Sequence, residues 1–187
     1  MRRVVATIEG ITPLSQGRFH ETEKLPKEAA DDYERRTWRN RLHTDKAGMV
    51  FIPPMAFKNC VRDAAKYISM GIPGKGKATY TKHFKSGIMV LEGLTLPIHK
   101  DDVEGEWLFV PSDGRVGGGK RVKKCFPRID EWGGDVEFHI VDDVITPEVF
   151  EHHLKEAGSF TGIGRFRPSS DSGGFYGRFI VKKFVWA

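Results

Sequence analysis

The chain changes its hydrophobic period in a fixed order, and that order limits its possible folds more than any single residue does. Residues 3–8, with Val4, Val5 and Ile8, form a short β-branched run that reads as a strand. Met49-Val50-Phe51-Ile52 is a second apolar run, stopped by Pro53-Pro54. Proline is well tolerated in the first turn of a helix. From there Met55, Phe57, Val61, Ala64, Ala65 and Ile68 keep the spacing of one buried helix face. Residues 88–91 and 107–110 read as strands, and residues 136–141 alternate. Thr146-Pro147-Glu148 offers an N-cap followed by proline at the first helical position. Val149, Phe150, His153 and Leu154 would then face inward, up to Gly158. Residues 179–186 end the chain as a strand.

The order is therefore strand, helix, strand, strand, helix, strand, with decorations, which is the split β-α-β pattern. The expected fold is α+β, a ferredoxin-like βαββαβ core with four antiparallel strands and two helices on one face. At 187 residues the chain suits a single domain spanning 1–187. No internal repeat or separating linker interrupts it.

Two decorations stand out. Residues 18–47, after the first strand, are almost wholly polar, with Arg18 at their start and Arg35, Arg36, Arg39 and Arg41 crowded around Trp38. Long polar insertions without apolar periodicity are usually functional or mobile. Residues 71–87, after the first helix, hold four glycines, Pro73, Lys75, Lys77, Lys82, His83 and Lys85, and no acidic residue. They read as a protruding hairpin or flexible finger. Lys58, Arg62 and Lys66 recur every four residues on the intervening helix. The densest basic cluster, Lys120, Arg121, Lys123 and Lys124, follows the glycine loop at 115–119.

Before the last strand, Gly162-Ile163-Gly164-Arg165-Phe166-Arg167-Pro168 and Gly173-Gly174-Phe175-Tyr176-Gly177-Arg178-Phe179 alternate glycines, arginines and aromatics. Glycine lets a backbone approach a ligand closely. Arginine offers phosphate a planar fork of donors, and aromatic faces stack on bases. Together they suit a nucleic-acid strand better than a small metabolite. The plain alternative is a glycine-rich hairpin with solvated arginines.

Bulk charge points the same way. The formal net charge is +5 and the pI about 9.2, a moderate basic bias that favours polyanions. Cys60 and Cys125 are the only cysteines and lack CxxC spacing, so a reducing compartment fits and a zinc site does not. With no signal-peptide pattern and no membrane-length apolar run, a cytoplasmic protein is expected. There is no phosphate-loop, HExxH or GxSxG motif. His152 and His153 are adjacent, so on a helix they point apart. No metal or cofactor is expected, and no catalytic residue in the leading reading. One enzymatic alternative survives: His20, just beyond the first strand among basic residues, could act on a 2′-hydroxyl as general acid or base without metal.

Phe51-Ile52-Pro53-Pro54-Met55-Ala56-Phe57-Lys58-Asn59-Cys60-Val61-Arg62 resembles the Y-I-P-G-S-S-L-K-G-x-x-R signature of RAMP proteins. The glycine-arginine-aromatic run resembles that family's Gly-rich loop before its last strand. The closest likeness is to the repeating backbone subunit of CRISPR effector complexes, in a minimal stand-alone or phage-carried form. Pro54 departs from the signature, which has glycine there. The resemblance implies an RNA-recognition-motif-like core and head-to-tail assembly of copies along a guide RNA. It implies that Lys58, Arg62, Gly164, Arg165 and Arg167 approach the strand, while residues 71–87 reach toward it or toward the next copy. Some members cleave target RNA with an aspartate upstream of Ile-Pro; Thr37-Trp38-Arg39 occupies the comparable region here.

The leading expectation is a single-stranded nucleic-acid-binding protein, RNA before DNA, that oligomerises on its strand and meets other CRISPR-complex subunits. Its contacts would be Arg18, Arg39, Lys58, Arg62, Lys75, Lys77, Lys82, Lys120, Arg121, Lys123, Lys124, Gly164, Arg165 and Arg167. The alternatives are a metal-independent endoribonuclease using His20, and a protein-binding mimic that interferes with a CRISPR complex.

Overall fold

Alternation of side chains along a strand explains the centre of the fold. In β1 (Arg2–Gly10), Val4, Ala6 and Ile8 are buried on one face. A computed structural model describes residues 1–112, 117 and 119–187. In it β1 pairs antiparallel with β7 (Gly133–Ile140) on one side and β8 (Phe179–Trp186) on the other. The short β3 (Ile88–Met89) pairs with β7, giving a four-stranded sheet in the order β3-β7-β1-β8. Two helices cover its apolar face: α2 (Pro54–Ile68) and α4 (Pro147–Glu156). Phe138 of β7 meets Phe57 of α2 edge-on at 6.5 Å and Phe150 of α4 at 5.2 Å. Reading β1, α2, β3, β7, α4, β8 in chain order gives the βαββαβ core expected from the sequence.

Both helices begin as their sequences predict. Pro54 opens α2, whose buried stripe is Phe57, Cys60, Val61, Ala64 and Ala65. The Thr146 hydroxyl accepts a hydrogen bond from the Val149 amide at the start of α4. α4 runs on into one wider turn, Ala157–Thr161, closed when the Gly162 amide donates to the Ala157 carbonyl five residues back, at 2.9 Å. Gly162 has φ 66°, so the chain leaves this turn in a backbone region that favours glycine.

The decorations are more ordered than their composition suggested. Residues 18–47 contain α1 (Ala30–Thr37) and a 3₁₀ turn (Trp38–Arg41), with Glu34, Thr37, Trp38, Arg41 and Leu42 buried. Composition misled here because two of the inward residues are charged. The Arg41 guanidinium donates to both Glu34 carboxylate oxygens at 3.0 Å and to the Cys125 carbonyl at 2.9 Å, so the pair is buried together. In residues 71–87 a Gly71–Thr79 bridge closes a short turn, and α3 (Thr81–Ser86) follows. Tyr80 and Phe84, four apart, anchor α3 in the core, so this half is a packed helix rather than a flexible finger.

Two further strand pairs lie outside the main sheet: β2 (Met49–Ile52) with β4 (Leu94–His99), and β5 (Glu104–Pro111) with β6 (Arg121–Arg128). Residues 107–110 thus belong to a two-stranded ribbon. The basic cluster at 121–124 is its other strand. Most of the glycine loop at 115–119 lies outside the described residues. Among the described residues, no helix is long and apolar enough to cross a membrane.

Candidate nucleic-acid interface

The exit from β1 and the Gly-rich segment before β8 run side by side. The Arg165 amide donates to the Ser15 carbonyl at 2.7 Å, and the Gly177 amide donates to the Pro13 carbonyl at 2.8 Å. Ile163 and Tyr176 amides bond to Gly177 and Phe166 carbonyls within the segment. The glycines therefore act first to let chains cross. Gly164, at φ 78°, sits so close to the Ser15 carbonyl that a side chain would collide with it. The amides of Ile163, Arg165, Tyr176 and Gly177 are spent inside the protein, so the side chains project the donors of this loop.

Between this crossing and the start of α2 lies a cleft of about 670 Å³. Gln16, Gly17, Arg41, His43, Pro53, Met55, Asn59, Phe126, Gly164, Arg165 and Arg167 are among its walls. The lining contains three arginines and a histidine and no carboxylate. The N-terminal end of α2 opens into it, so the helix dipole adds positive potential at the same place. Gln16 ties the walls together: its amide nitrogen donates to the Phe51 carbonyl at 2.9 Å, and its oxygen accepts from the His43 amide at 2.7 Å.

Arg165 is the most unusual group in the cleft. Its guanidinium carbon lies 3.2 Å from the centre of the Phe126 ring and 3.6 Å from that of Phe166, so the plane is held between two aromatic rings. Its Nη1 is buried and, among the described residues, has no hydrogen-bond partner. Burial first, and then the charge of Arg41, pull it down to about 10, which leaves it charged at neutral pH. Arg167 is also free of acidic partners in its hydrogen bonds: it donates to the Gly164 carbonyl and the Ser169 hydroxyl. Arg41, by contrast, is committed to Glu34.

The two histidines near this cleft are both lowered below the ordinary imidazole value. Burial, then the charges of Arg41, Arg18 and Lys124, lower His20 against the opposing pull of Glu34. Burial and then Arg18 lower His43. Exposed Arg18 and half-buried Lys124 thus belong to the cleft's electrostatic surroundings. A smaller pocket of about 230 Å³ continues along α2, lined by Asn59, Arg62, Asp63, Gly162 and Arg167 among others. Arg62 there is bonded to Asp63 at 2.7 Å.

The other predicted contacts lie apart. Asn59, rather than Lys58, lines the cleft. Lys75, Lys77 and Lys82 are exposed beyond the C-terminal end of α2, a helix of 15 residues and roughly 22 Å. Arg39 stacks 4.2 Å over Trp38 and reaches the Asp101 carbonyl. The basic cluster splits over the ribbon's two faces. Arg121 and Lys123 stand opposite Pro111 and Phe109, with the Lys123 ammonium 4.9 Å over the Trp107 ring; Lys124 shares the face of Phe126. Lys120, just before β6, is exposed. Arg41, His43, Gln16 and Phe126 were not predicted as contacts. They come from separate elements, and only the fold assembles them.

The open face of the main sheet is a poor alternative. It mixes acidic and basic groups, Glu9, Asp135 and Glu137 beside Arg3 and Lys183, with Thr7 bonded to Asp135 at 2.6 Å, and among the described residues it presents no Phe, Tyr or Trp for a base to stack on. Among the described residues, no three His, Cys, Asp or Glu side chains cluster as they would to hold a metal ion.

No family model matches the chain, and no curated protein matches it in sequence. Solved structures do. A chain of the type III-B Cmr-beta complex bound to cognate target RNA is 12% identical with a TM-score of 0.54, over 99% of this chain. This chain spans 60% of that chain's length. Cmr6 from Pyrococcus furiosus matches at 13% identity and TM-score 0.48, over 97% of this chain and 99% of Cmr6. A chain of a CRISPR RNA-guided surveillance complex matches at 7% identity and TM-score 0.39, over 98% of this chain and 68% of its own. At these identities the likeness is one of fold alone, and the Cmr-beta chain gives it: a ferredoxin-type α+β architecture.

Proposed function

We propose that this protein binds single-stranded nucleic acid, RNA in preference to DNA, with the strand's backbone in the cleft between α2 and the Gly-rich loop. The observation that carries this reading is the composition of the cleft: Arg165 and Arg167 beside the Glu34-paired Arg41, a helix N-terminus, and, among the described residues, no carboxylate in the lining and one buried guanidinium nitrogen of Arg165 without a partner. An unpaired buried donor is costly, and an anionic oxygen is the group that would satisfy it. The likeness in fold to a chain of an RNA-bound CRISPR complex supports a place in such an assembly, with other CRISPR-complex subunits and further copies of this chain as partners, arranged head to tail along the strand. The ribbon residues Arg121 and Lys123, beside Trp107 and Phe109, supply a second basic and aromatic surface for the same strand.

The protein acts in this reading as a binder without turnover. The test is to extract whatever nucleic acid copurifies with the protein, then measure anisotropy of labelled oligouridylate and oligothymidylate over a salt series. Binding that weakens steeply with salt, and favours oligouridylate, is expected. A protein that purifies clean and binds neither probe would refute the reading.

A second reading is favoured by the setting of His20, which burial, then Arg41, Arg18 and Lys124 lower below the ordinary imidazole value. A neutral imidazole in a cationic setting can take a 2′-hydroxyl proton. Cleavage of labelled RNA in EDTA that His20→Ala abolishes would establish an endoribonuclease. Intact RNA leaves the binding reading in place.

A further inference from the structure

The smaller pocket along α2 leads to an aromatic pair that the cleft does not use. Ala56, Cys60, Asp63 and Tyr67 recur at helical spacing and form one stripe of α2. Ala56, Cys60 and Asp63 line the pocket, and Tyr67 is the next residue along the stripe. The Tyr67 ring stacks on Phe160 with centres 5.9 Å apart and planes 26° apart. Both stay open to solvent, Tyr67 at 74% and Phe160 at 54% exposure.

Phe160 is held there by backbone geometry. It sits in the wide turn Ala157–Thr161, closed from Ala157 to Gly162, and such turns are frequent at functional sites. Cys60 and Gly158 fix that turn to the core: the Cys60 thiol faces the Ala157 carbonyl at 3.5 Å, and Gly158 abuts Phe179 too closely for a side chain. The turn therefore aims an aromatic ring outward from a rigid base. Positive charge flanks the pair at both ends, with Arg167 toward the cleft, where Arg62 is paired with Asp63, and exposed Lys75 and Lys77 beyond the helix C-terminus.

We propose that Tyr67 and Phe160 form a stacking platform for a base of the same single strand whose backbone lies in the cleft. The proposal rests on the cleft reading and adds the direction the strand takes, along α2 from its N-terminal to its C-terminal end. Two parallel, exposed rings suit a nucleobase, because every base offers a π-face and stacking needs no particular sequence.

The test uses oligouridylates of about 12 nucleotides with one 2-aminopurine walked along them. Stacking quenches 2-aminopurine. The wild type should quench it at one position remote from the cleft. Tyr67→Ala with Phe160→Ala should restore fluorescence there and weaken binding about tenfold or more. Tyr67→Phe should keep both. Thermal melting verifies that each variant is folded. Unchanged affinity and an unchanged quenching profile in the double alanine variant would overturn the platform. If Arg165→Met loses binding at the same time, the cleft reading survives alone; if the wild type binds no strand, both fail.

Discussion

At the scale of residues, Arg165 and His153 show opposite uses of burial. Arg165 is lowered by burial and by Arg41, but only to about 10, so it stays charged at neutral pH with its guanidinium beside the rings of Phe126 and Phe166. Arg165→Met would fill the slot and remove only the charge. Strand binding should fall by roughly tenfold or more, the worth of a hydrogen bond to a charged group, while melting shifts little. Anisotropy paired with thermal melting checks it; full binding by the folded variant would show that the slot is structural. His153 is buried in α4, stacked 4.2 Å from Phe84 and near Tyr80 and His152. Its Nδ1 donates to the Val149 carbonyl, and its buried Nε2 has no partner among the described residues. Burial lowers it below the ordinary histidine value, outweighing the Val149 carbonyl. The imidazole is then neutral in both states above about pH 6.5. As pH falls below that value, the unfolded chain takes up a proton that the native state refuses, so stability falls until the native value is passed. Melting temperature should drop between neutral and mildly acidic pH, and His153→Phe should flatten part of that drop. An identical pH profile in the variant would remove His153 as a cause.

At the scale of elements, the β5–β6 ribbon turns a run of charge into two surfaces. Strand alternation places Lys123 with Trp107 and Phe109, and Lys124 with Phe126 at the cleft. Lys123 is partly engaged, 3.7 Å from Asp31. Replacing Lys120, Arg121, Lys123 and Lys124 together by alanine should weaken binding similarly for all sequences. It should also reduce the salt slope by about 0.7 for each lost phosphate contact on a single strand. An unchanged slope would mean that the cluster is a solvated surface. Lys124→Ala alone should also let His20 titrate higher, which NMR of the imidazole would register, because Lys124 is among the charges that lower it.

At the scale of the whole molecule, the cleft and the ribbon give one copy several points of contact with an extended strand. Head-to-tail assembly then predicts that stoichiometry rises with strand length, as copies bind side by side. Light scattering on complexes with oligouridylates of increasing length should show stepwise mass increments. The arginine variant of the cleft should lose them in parallel with binding, since the strand scaffolds the oligomer. A constant one-to-one complex at every length would refute assembly along the strand while leaving the cleft intact.

The core was legible from the sequence because its signals are local. Val4, Ala6 and Ile8 alternate in β1, Phe57, Val61, Ala64 and Ala65 keep a helical period in α2, and Thr146-Pro147 marks the start of α4. The order of those segments was enough to define a ferredoxin-like sheet. What resisted local reading were the polar residues turned inward and the groups gathered from afar. Glu34 and Arg41 looked like solvated insertion until the fold buried them as a pair against β6. Tyr80 and Phe84 were hidden among glycines and lysines. Arg165 announced itself by its neighbours in sequence, yet its slot needs Phe126 from β6, and its cleft needs Gln16, His43 and Asn59 from three other segments. Periodicity belongs to the chain and can be read along it, whereas a binding surface is made by contacts between distant segments, which the tertiary structure decided.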